Sequence, residues 1–285
     1  MIRSWSVGDA KVTSLVEYFG PTHVPEIAFP EFDPAVMARI AAGLPPGHWY
    51  PQIHRFVIAV QIWILAVDDR LILVDTGVGN GKPRLAARMN MLNTLVPHWM
   101  NAAAVTRENV TDVVMTHLHS DHIGWNTTFE DGRWVPTFPN ARYHVPKHDF
   151  DYFSRKPLDA SLSDSLQPVI DAGLVEFIDG QSHVAGHLSV RRAPGHTPGQ
   201  LNYWLESRGE TGVFSADILH HPVQILSPGW NTAFCMLPDE AKKTRAAFLA
   251  EAADTGALVM PCHFPPPHCG YVRRASDGYV YEPAA

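Results

Sequence analysis

Short β-branched runs along the 285-residue chain alternate with stretches of helical period, the pattern of a layered α/β protein. Leu71-Ile72-Leu73-Val74, Val113-Val114-Met115, Leu188-Ser189-Val190, Val213-Phe214-Ser215-Ala216 and Leu258-Val259-Met260 each read as a buried strand. Ala59 to Val67 and Arg70 to Val74 predict a hairpin around Asp68-Asp69. Asp33-Pro34 opens a helix that should end near Gly43, with Asp as cap, Pro in the first turn and Gly past the end. A second helix is expected from Asp239 to Asp254, stopping before Gly256, and a third within Leu158 to Ala172, where Pro168 could break it. Pro21 to Pro51 is rich in Pro and aromatics and reads as a lid, a partner surface or an ordered surface loop. There is no linker, low-complexity tract or short-period repeat, so residues 1–285 read as a single domain containing this 21–51 segment.

Each strand-like run is followed by a His or an Asp. Asp75 follows Val74, His117 follows Met115, His196 comes after Pro194-Gly195, Asp217 follows Ala216, and His263 follows Cys262. Ligands gather outside the carboxyl ends of strands in layered α/β folds, so five such ends imply one convergent site. The densest stretch is Thr116-His117-Leu118-His119-Ser120-Asp121-His122. An extended backbone places His117 and His119 on one side. A turn then swings Asp121 and His122 toward a neighbouring point. Imidazole with carboxylate suits zinc, iron or another first-row divalent ion, and this many donors can begin two sites side by side.

Composition narrows the class. Hydrophobic residues make up 46% of the chain, enough for a sizeable core. The net charge is −7 and the 22 basic residues are scattered, which gives no nucleic-acid footprint. The longest apolar run, Phe56 to Val67, is interrupted by Gln61 and too short to span a membrane. The start, Met1-Ile2-Arg3-Ser4-Trp5-Ser6, lacks the apolar segment of a signal peptide, so a cytoplasmic location is expected. The cysteines are Cys235, Cys262 and Cys269. Cys262 reads as a small buried residue, with a bridge to Cys269 or a thiolate ligand as alternatives. His23, His48, His54, His98, His144, His148, His183, His187 and His268 have no motif support and read as structural or surface residues.

The chain resembles the metallo-β-lactamase superfamily from about Ile62 to Val272. The resemblance rests on Leu73-Val74-Asp75-Thr76-Gly77, the His117–His122 motif, Pro194-Gly195-His196-Thr197-Pro198-Gly199, Ala216-Asp217 and Cys262-His263-Phe264, in that order. It implies a four-layer αββα sandwich with the metal site at one edge between the sheets. It also implies two divalent ions, most readily zinc. His117, His119 and His196 would hold one, Asp121, His122 and His263 the other, and Asp217 would bridge both. Asp75 would brace the His loop by hydrogen bonds rather than ligate. In acyl-homoserine lactonases the stretch after the bridging Asp supplies a Tyr. Here Asp217-Ile218-Leu219-His220-His221 departs from it and is closer to the branch containing methyl parathion hydrolase. His220 could lean over the metals as a catalytic residue or be an ordinary loop histidine.

The implied mechanism is attack by a hydroxide shared between the two metals on a carboxylic ester or lactone, with Asp121 as proton shuttle. A phosphotriester, thioester or β-lactam is the alternative substrate, and an iron redox enzyme or a non-catalytic metal protein the remote one. Trp125, Trp134, Trp230 and Phe234 follow the motifs closely and could wall an apolar pocket for a small-molecule substrate. Few Lys or Arg lie near the motifs, which argues against phosphodiesters. The expected partner is this substrate, with a homodimer possible and the 21–51 segment open as either a lid or its surface.

Overall fold

A computed structural model describes residues 2–285. Arg55–Val67 is a 13-residue strand whose positions from Phe56 to Leu65 are all buried, the mark of a strand covered on both faces. It turns at Asp68-Asp69 and runs back antiparallel as Arg70–Val74, with Val67 opposite Arg70. The predicted hairpin is therefore present, its first strand starting at Arg55 rather than Ala59.

Around this hairpin an eight-stranded sheet runs in the order Ile2–Val7, Ala10–His23, Arg55–Val67, Arg70–Val74, Asp112–Val114, Arg142–Pro146, Val175–Ile178, with Trp49–Tyr50 added beside Arg55–Val67. From Arg70–Val74 onward the strands are parallel, so their carboxyl ends share one edge. A seven-stranded sheet is built from His183–Val184, Leu188–Arg192, Leu201–Ser207, Glu210–Phe214, Leu258–Met260, Gly270–Ala275 and Gly278–Pro283. Glu210–Phe214 and Leu258–Met260 form its parallel pair.

The inner faces meet through Trp63, Leu65 and Val74 on one side and Val190, Tyr203 and Phe214 on the other. The first sheet's outer face is covered by Val96–Ala102, Lys147–Arg155 and Gln167–Asp171 through Met100, Phe153 and Val169. Pro238–Thr255 covers the second through Phe248, Leu249 and Ala252. Helix, sheet, sheet and helix thus form the four layers that the resemblance implied.

The helix ends follow their residues. Asp33 Oδ1 accepts from the Ala35 and Val36 N–H groups at the start of Pro34–Ile40. Gly256, at φ +66°, closes Pro238–Thr255. The expected helix within Leu158–Ala172 is divided. A π-helical turn spans Leu162–Leu166 and an α-helix Gln167–Asp171, with Pro168 in the first turn of the latter. Proline has no N–H for the preceding turn, so it opens the second piece instead of interrupting one helix. The 21–51 segment packs Phe29, Met37 and Leu44 around Phe56 and Trp230 and is ordered by that aromatic cluster. The three cysteines are buried and free, so the Cys262–Cys269 bridge is not formed. Among the described residues no helix is long and apolar enough to cross a membrane.

A buried ion cluster ties residues 80–94 to the π-helical turn. Arg84 makes a two-pronged pair with Asp164 at 2.7 and 3.0 Å. Lys82 Nζ donates to Thr127 Oγ1 at 2.7 Å and to the Asp164 carbonyl at 3.2 Å, and lies 3.5 Å from the Trp134 ring centroid. Breaking a buried pair strands its partners, so Asp164→Ala should lower the unfolding free energy by about 3–5 kcal/mol. Loss of the exposed Asp33 cap should cost about 1 kcal/mol. Urea unfolding of both variants checks the ranking, and an Asp164→Ala loss no larger than that of Asp33→Ala would contradict it. Burial lowers the Lys82 ammonium from 10.5 to about 8, against the pull of Asp164. Between those values the unfolded chain holds a proton that the folded chain has released, so stability gains from this group as pH rises. Wild type should gain relative to Lys82→Met from pH 8 to 10.5. Parallel pH profiles of unfolding would refute this.

Candidate metal centre and its cavity

Strand ends from both sheets deliver their His and Asp side chains to one point. The centre of the cluster is Asp217 Oδ2. It lies 3.0 Å from His220 Nε2, 3.1 Å from His196 Nε2, 3.2 Å from His263 Nε2, 3.5 Å from His122 Nε2 and 3.7 Å from His117 Nε2. His119 faces the same centre through Nδ1, 2.8 Å from His196 Nε2 and 3.1 Å from His117 Nε2. Asp121 oxygens stand 3.8 Å from His122 Nε2 and from His263 Nε2. The structure therefore gathers all seven expected ligand residues, and it brings His220 into direct contact with them.

The donor set fits metal ions. Asp217 Oδ1 and His122 Nε2 are buried and have no hydrogen-bond partner among the described residues. Such orphaned atoms are costly without a ligand. The other ring nitrogen of several imidazoles is tied down on the protein. His263 Nδ1 donates to the Ala59 carbonyl at 2.8 Å and His122 Nδ1 to Asp75 Oδ2 at 2.8 Å, which leaves each Nε2 lone pair aimed inward.

Two acids brace the ligand loops from behind. Asp75 accepts from the Thr116 N–H and Oγ1, both at 2.7 Å, from His122, and from Cys262 Sγ at 3.1 Å. That is the bracing position implied by the resemblance, and Cys262 serves it as a donor. Asp149 was not singled out by the sequence analysis. It accepts from the Leu118 N–H at 3.2 Å, Thr197 Oγ1 at 2.7 Å and the Gly199 N–H at 2.6 Å, so one carboxylate links the His117–His122 loop to the His196 loop. A signal for it existed, since Asp149 follows the strand Arg142–Pro146 just as the other site residues follow theirs. Glu17 is a third buried acid, holding the Val78 and Gly79 N–H groups and Trp125 Nε1. The backbone bends sharply at two of these strand ends. Asp75 and Ala216 sit at φ +55° and +52°, a region that non-glycine residues enter at a cost and keep where the surroundings enforce it.

Charge settles around the centre in opposite senses. Burial lowers His119 to about 3 and His196 to about 4, and His117 falls well below the ordinary imidazole value, again mainly by burial. Neutral imidazoles are the ligating form. His122 and His263 go the other way. Burial opposes their charge, but the facing Asp217 outweighs it and raises both above the ordinary imidazole value, so a cation entering here displaces their protons. Burial opposes ionisation of Asp217, but the facing His263 and His122 outweigh it and hold the carboxyl well below its usual range.

A cavity of about 370 Å³ opens onto this centre. Phe29, Ile58, Val60, Met89 and Met236 give it apolar walls, and Phe234 lines it as expected. The three tryptophans do not. Trp125 is buried against Glu17, Trp134 lies beside Lys82, and Trp230 packs on Phe29 and Phe32. Two further corrections concern polarity. Arg88 lines the cavity although it lies far from the motifs in sequence, and so does His23, which carried no motif.

The model of the metallo-β-lactamase superfamily matches residues 55–263. An N-acyl homoserine lactonase from Bacillus sp. is 22% identical over 167 residues, covering 53% of this chain and 59% of that protein. A β-lactamase-like protein 2 homologue from Caenorhabditis elegans is 26% identical over 161 residues, covering 55% and 43%. The chain thus spans about half the length of the curated relatives it matches. Among solved structures, a hydrolase of the β-lactamase superfamily, AbOPH, superposes with a TM-score of 0.81 at 22% identity over 100% of this chain and 97% of that one. The dizinc quorum-quenching lactonase AidC, in complex with a homoserine product, does so at 0.78 with the same identity and coverage. With the motif order, the four layers and the convergent strand ends all in agreement, the chain belongs to the metallo-β-lactamase superfamily.

Proposed function

We propose that this protein is a metal-dependent hydrolase of carboxylic esters or lactones. The observation that carries the reading is the convergence of six imidazoles and Asp121 around Asp217 at the base of an apolar cavity. His117, His119 and His196 would hold one divalent ion and Asp121, His122 and His263 a second, with Asp217 between them. Two such ions, zinc by the nitrogen and oxygen donors, would supply Lewis acidity and an acidified water at neutral pH.

The chain's own residues account for the remaining work. The apolar walls exclude water and hold the acyl or alcohol part of the substrate. Asp121 is half-buried and lines the cavity. Burial opposes its ionisation, but His122 and His263 hold its carboxyl below the ordinary value. As a carboxylate it accepts the proton of the attacking water and passes it to the leaving alkoxide. His220 lies in the stretch after Asp217 that in acyl-homoserine lactonases supplies a Tyr, and its ring borders both the cavity and Asp217. Its Nε2 faces Asp217 and its Nδ1 is buried without a partner among the described residues, so an N–H reaches a substrate oxygen only if the ring gives up its contact with Asp217, and it offers no phenol. Discrimination of the groups flanking the scissile bond then rests on the walls.

The direct test is kcat/KM for a phenyl ester, a γ-lactone, an acyl-homoserine lactone, an aryl phosphotriester and a β-lactam. Turnover of at least one of the first three above the last two is expected, and turnover of only a phosphotriester or only a β-lactam would refute the reading. Asp217→Asn keeps the shape but removes the central charge, and should lose at least one metal and about 10²-fold or more in rate, at or beyond the 10–100-fold range of outer partners. Retention of both metals and near wild-type turnover would remove Asp217 from the bridging role. Asp149→Asn turns an amide N–H toward groups that already donate. It should cost about 10–100-fold in metal affinity or activity without Asp149 touching metal. Metal titration of the purified variant checks this, and unchanged affinity and rate would reduce Asp149 to packing.

A further inference from the structure

Beside the metal-type cluster the cavity wall carries a second polar group, Tyr18, His23 and Arg88. Arg88 reaches it from the short turn Ala87–Met89, and no carboxylate of the described residues stands within ion-pair distance of its guanidinium. The turn is held firmly. Asn80 Oδ1 accepts from the Thr94 N–H at 2.7 Å, the Met91 N–H donates to the Lys82 carbonyl at 2.9 Å, and the Asn90 side chain accepts from the Arg84 N–H at 2.9 Å. Lys82 and Arg84 are in turn fixed on Asp164. Arg88 is therefore offered from a built scaffold.

Tyr18 and His23 line the cavity with it. Both lie close enough to the guanidinium to feel its charge. Burial, with the charge of Asp121 next, pushes the Tyr18 phenol up to about 12, so it stays protonated and can donate. Burial first and Arg88 second lower His23 to about 3, so it stays neutral. The group thus combines a permanent cation with five N–H donors, a phenol donor and an uncharged imidazole. Asp159 also lines the cavity, and its Oδ1 accepts the Ser161 N–H at 2.8 Å. Arg88 is exposed at the cavity wall and has no carboxylate partner among the described residues, and a guanidinium so placed is a recognition element for a planar anion.

We propose that Arg88, with Tyr18 and His23, forms a subsite for a carboxylate that the substrate carries away from its scissile bond. The substrates would then be half-esters, or lactones with a free acid group. This inference rests on the hydrolase reading for the bond that is cleaved, but not for the binding of the acid group.

The test compares the phenyl half-ester of a straight-chain dicarboxylic acid with the phenyl ester of the monocarboxylic acid of equal length. Metal-loaded wild type, Arg88→Met and Arg88→Lys are assayed, and calorimetry measures binding of the matching dicarboxylates and monocarboxylates. Wild type should favour the charged ester by about 10–100-fold, the weight of a charge-assisted hydrogen bond, mostly through KM. Arg88→Met should bring the ratio near one, and Arg88→Lys should restore part of it. The dicarboxylate should likewise bind more tightly than the monocarboxylate only while a cation is present at this position. If both esters are cleaved without preference, or if Arg88→Met keeps the preference, the subsite is refuted and the hydrolase reading stands. If neither ester is cleaved but dicarboxylate binding still depends on Arg88, the subsite stands and the hydrolase reading falls.

Discussion

A carboxylate ringed by imidazoles in the protein interior is the constraint on which the rest of this structure depends. Asp217 is 3% exposed, and five imidazole nitrogens stand 3.0–3.7 Å from its Oδ2. Burying a charge is unfavourable unless it is paired, and burying several nitrogen lone pairs that face one another is unfavourable as well. Cations placed between them satisfy both at once. The two sheets have to meet at one edge for this to happen. Asp75 and His117 come from strand ends of the first sheet, and His196, Asp217 and His263 from strand ends of the second. The inter-sheet core around Trp63, Tyr203 and Phe214 is therefore part of the site, because it fixes the separation of the two ligand sets.

Around that centre the protein holds its ligands with acids that touch none of the solvent-facing cavity. Asp75 ties Thr116, His122 and Cys262 together, and Asp149 ties the loops of His117–His122 and His196. Each spans segments that are remote in the chain, so each converts sheet packing into ligand position. The left-handed backbone at Asp75 sits amid these contacts, and Ala216 adopts the same region beside Asp217. Farther out, the Lys82–Arg84–Asp164 cluster does for the cavity wall what Asp75 and Asp149 do for the ligands.

An α/β protein with one convergent site was legible from local rules, while the four layers and the seven ligand candidates came from the family resemblance. A β-branched run ending in His or Asp marks a strand and its loop together, and a His-x-His-x-Asp-His turn keeps its donors close whatever surrounds it. What was hidden is what depends on distant partners. Trp125, Trp134 and Trp230 lie near the motifs in sequence, yet each turned to an inner neighbour, while Phe234 alone reached the cavity. Arg88 and His23 entered the cavity from outside every motif, because the anchored turn at residues 80–94 and the edge of the strand Ala10–His23 are brought over it by tertiary packing. Pro168 did not break the helix but sits in the first turn of Gln167–Asp171, directly after a π-helical turn that carries Asp164 to Arg84.

The account stands or falls on whether two cations share Asp217. The most direct measurement is a crystal structure of the zinc-loaded protein with anomalous scattering recorded at the zinc edge. Two peaks should lie on either side of the Asp217 carboxylate, one reached by His117, His119 and His196, the other by Asp121, His122 and His263. A single peak at full loading, or two peaks neither of which Asp217 touches, would contradict it.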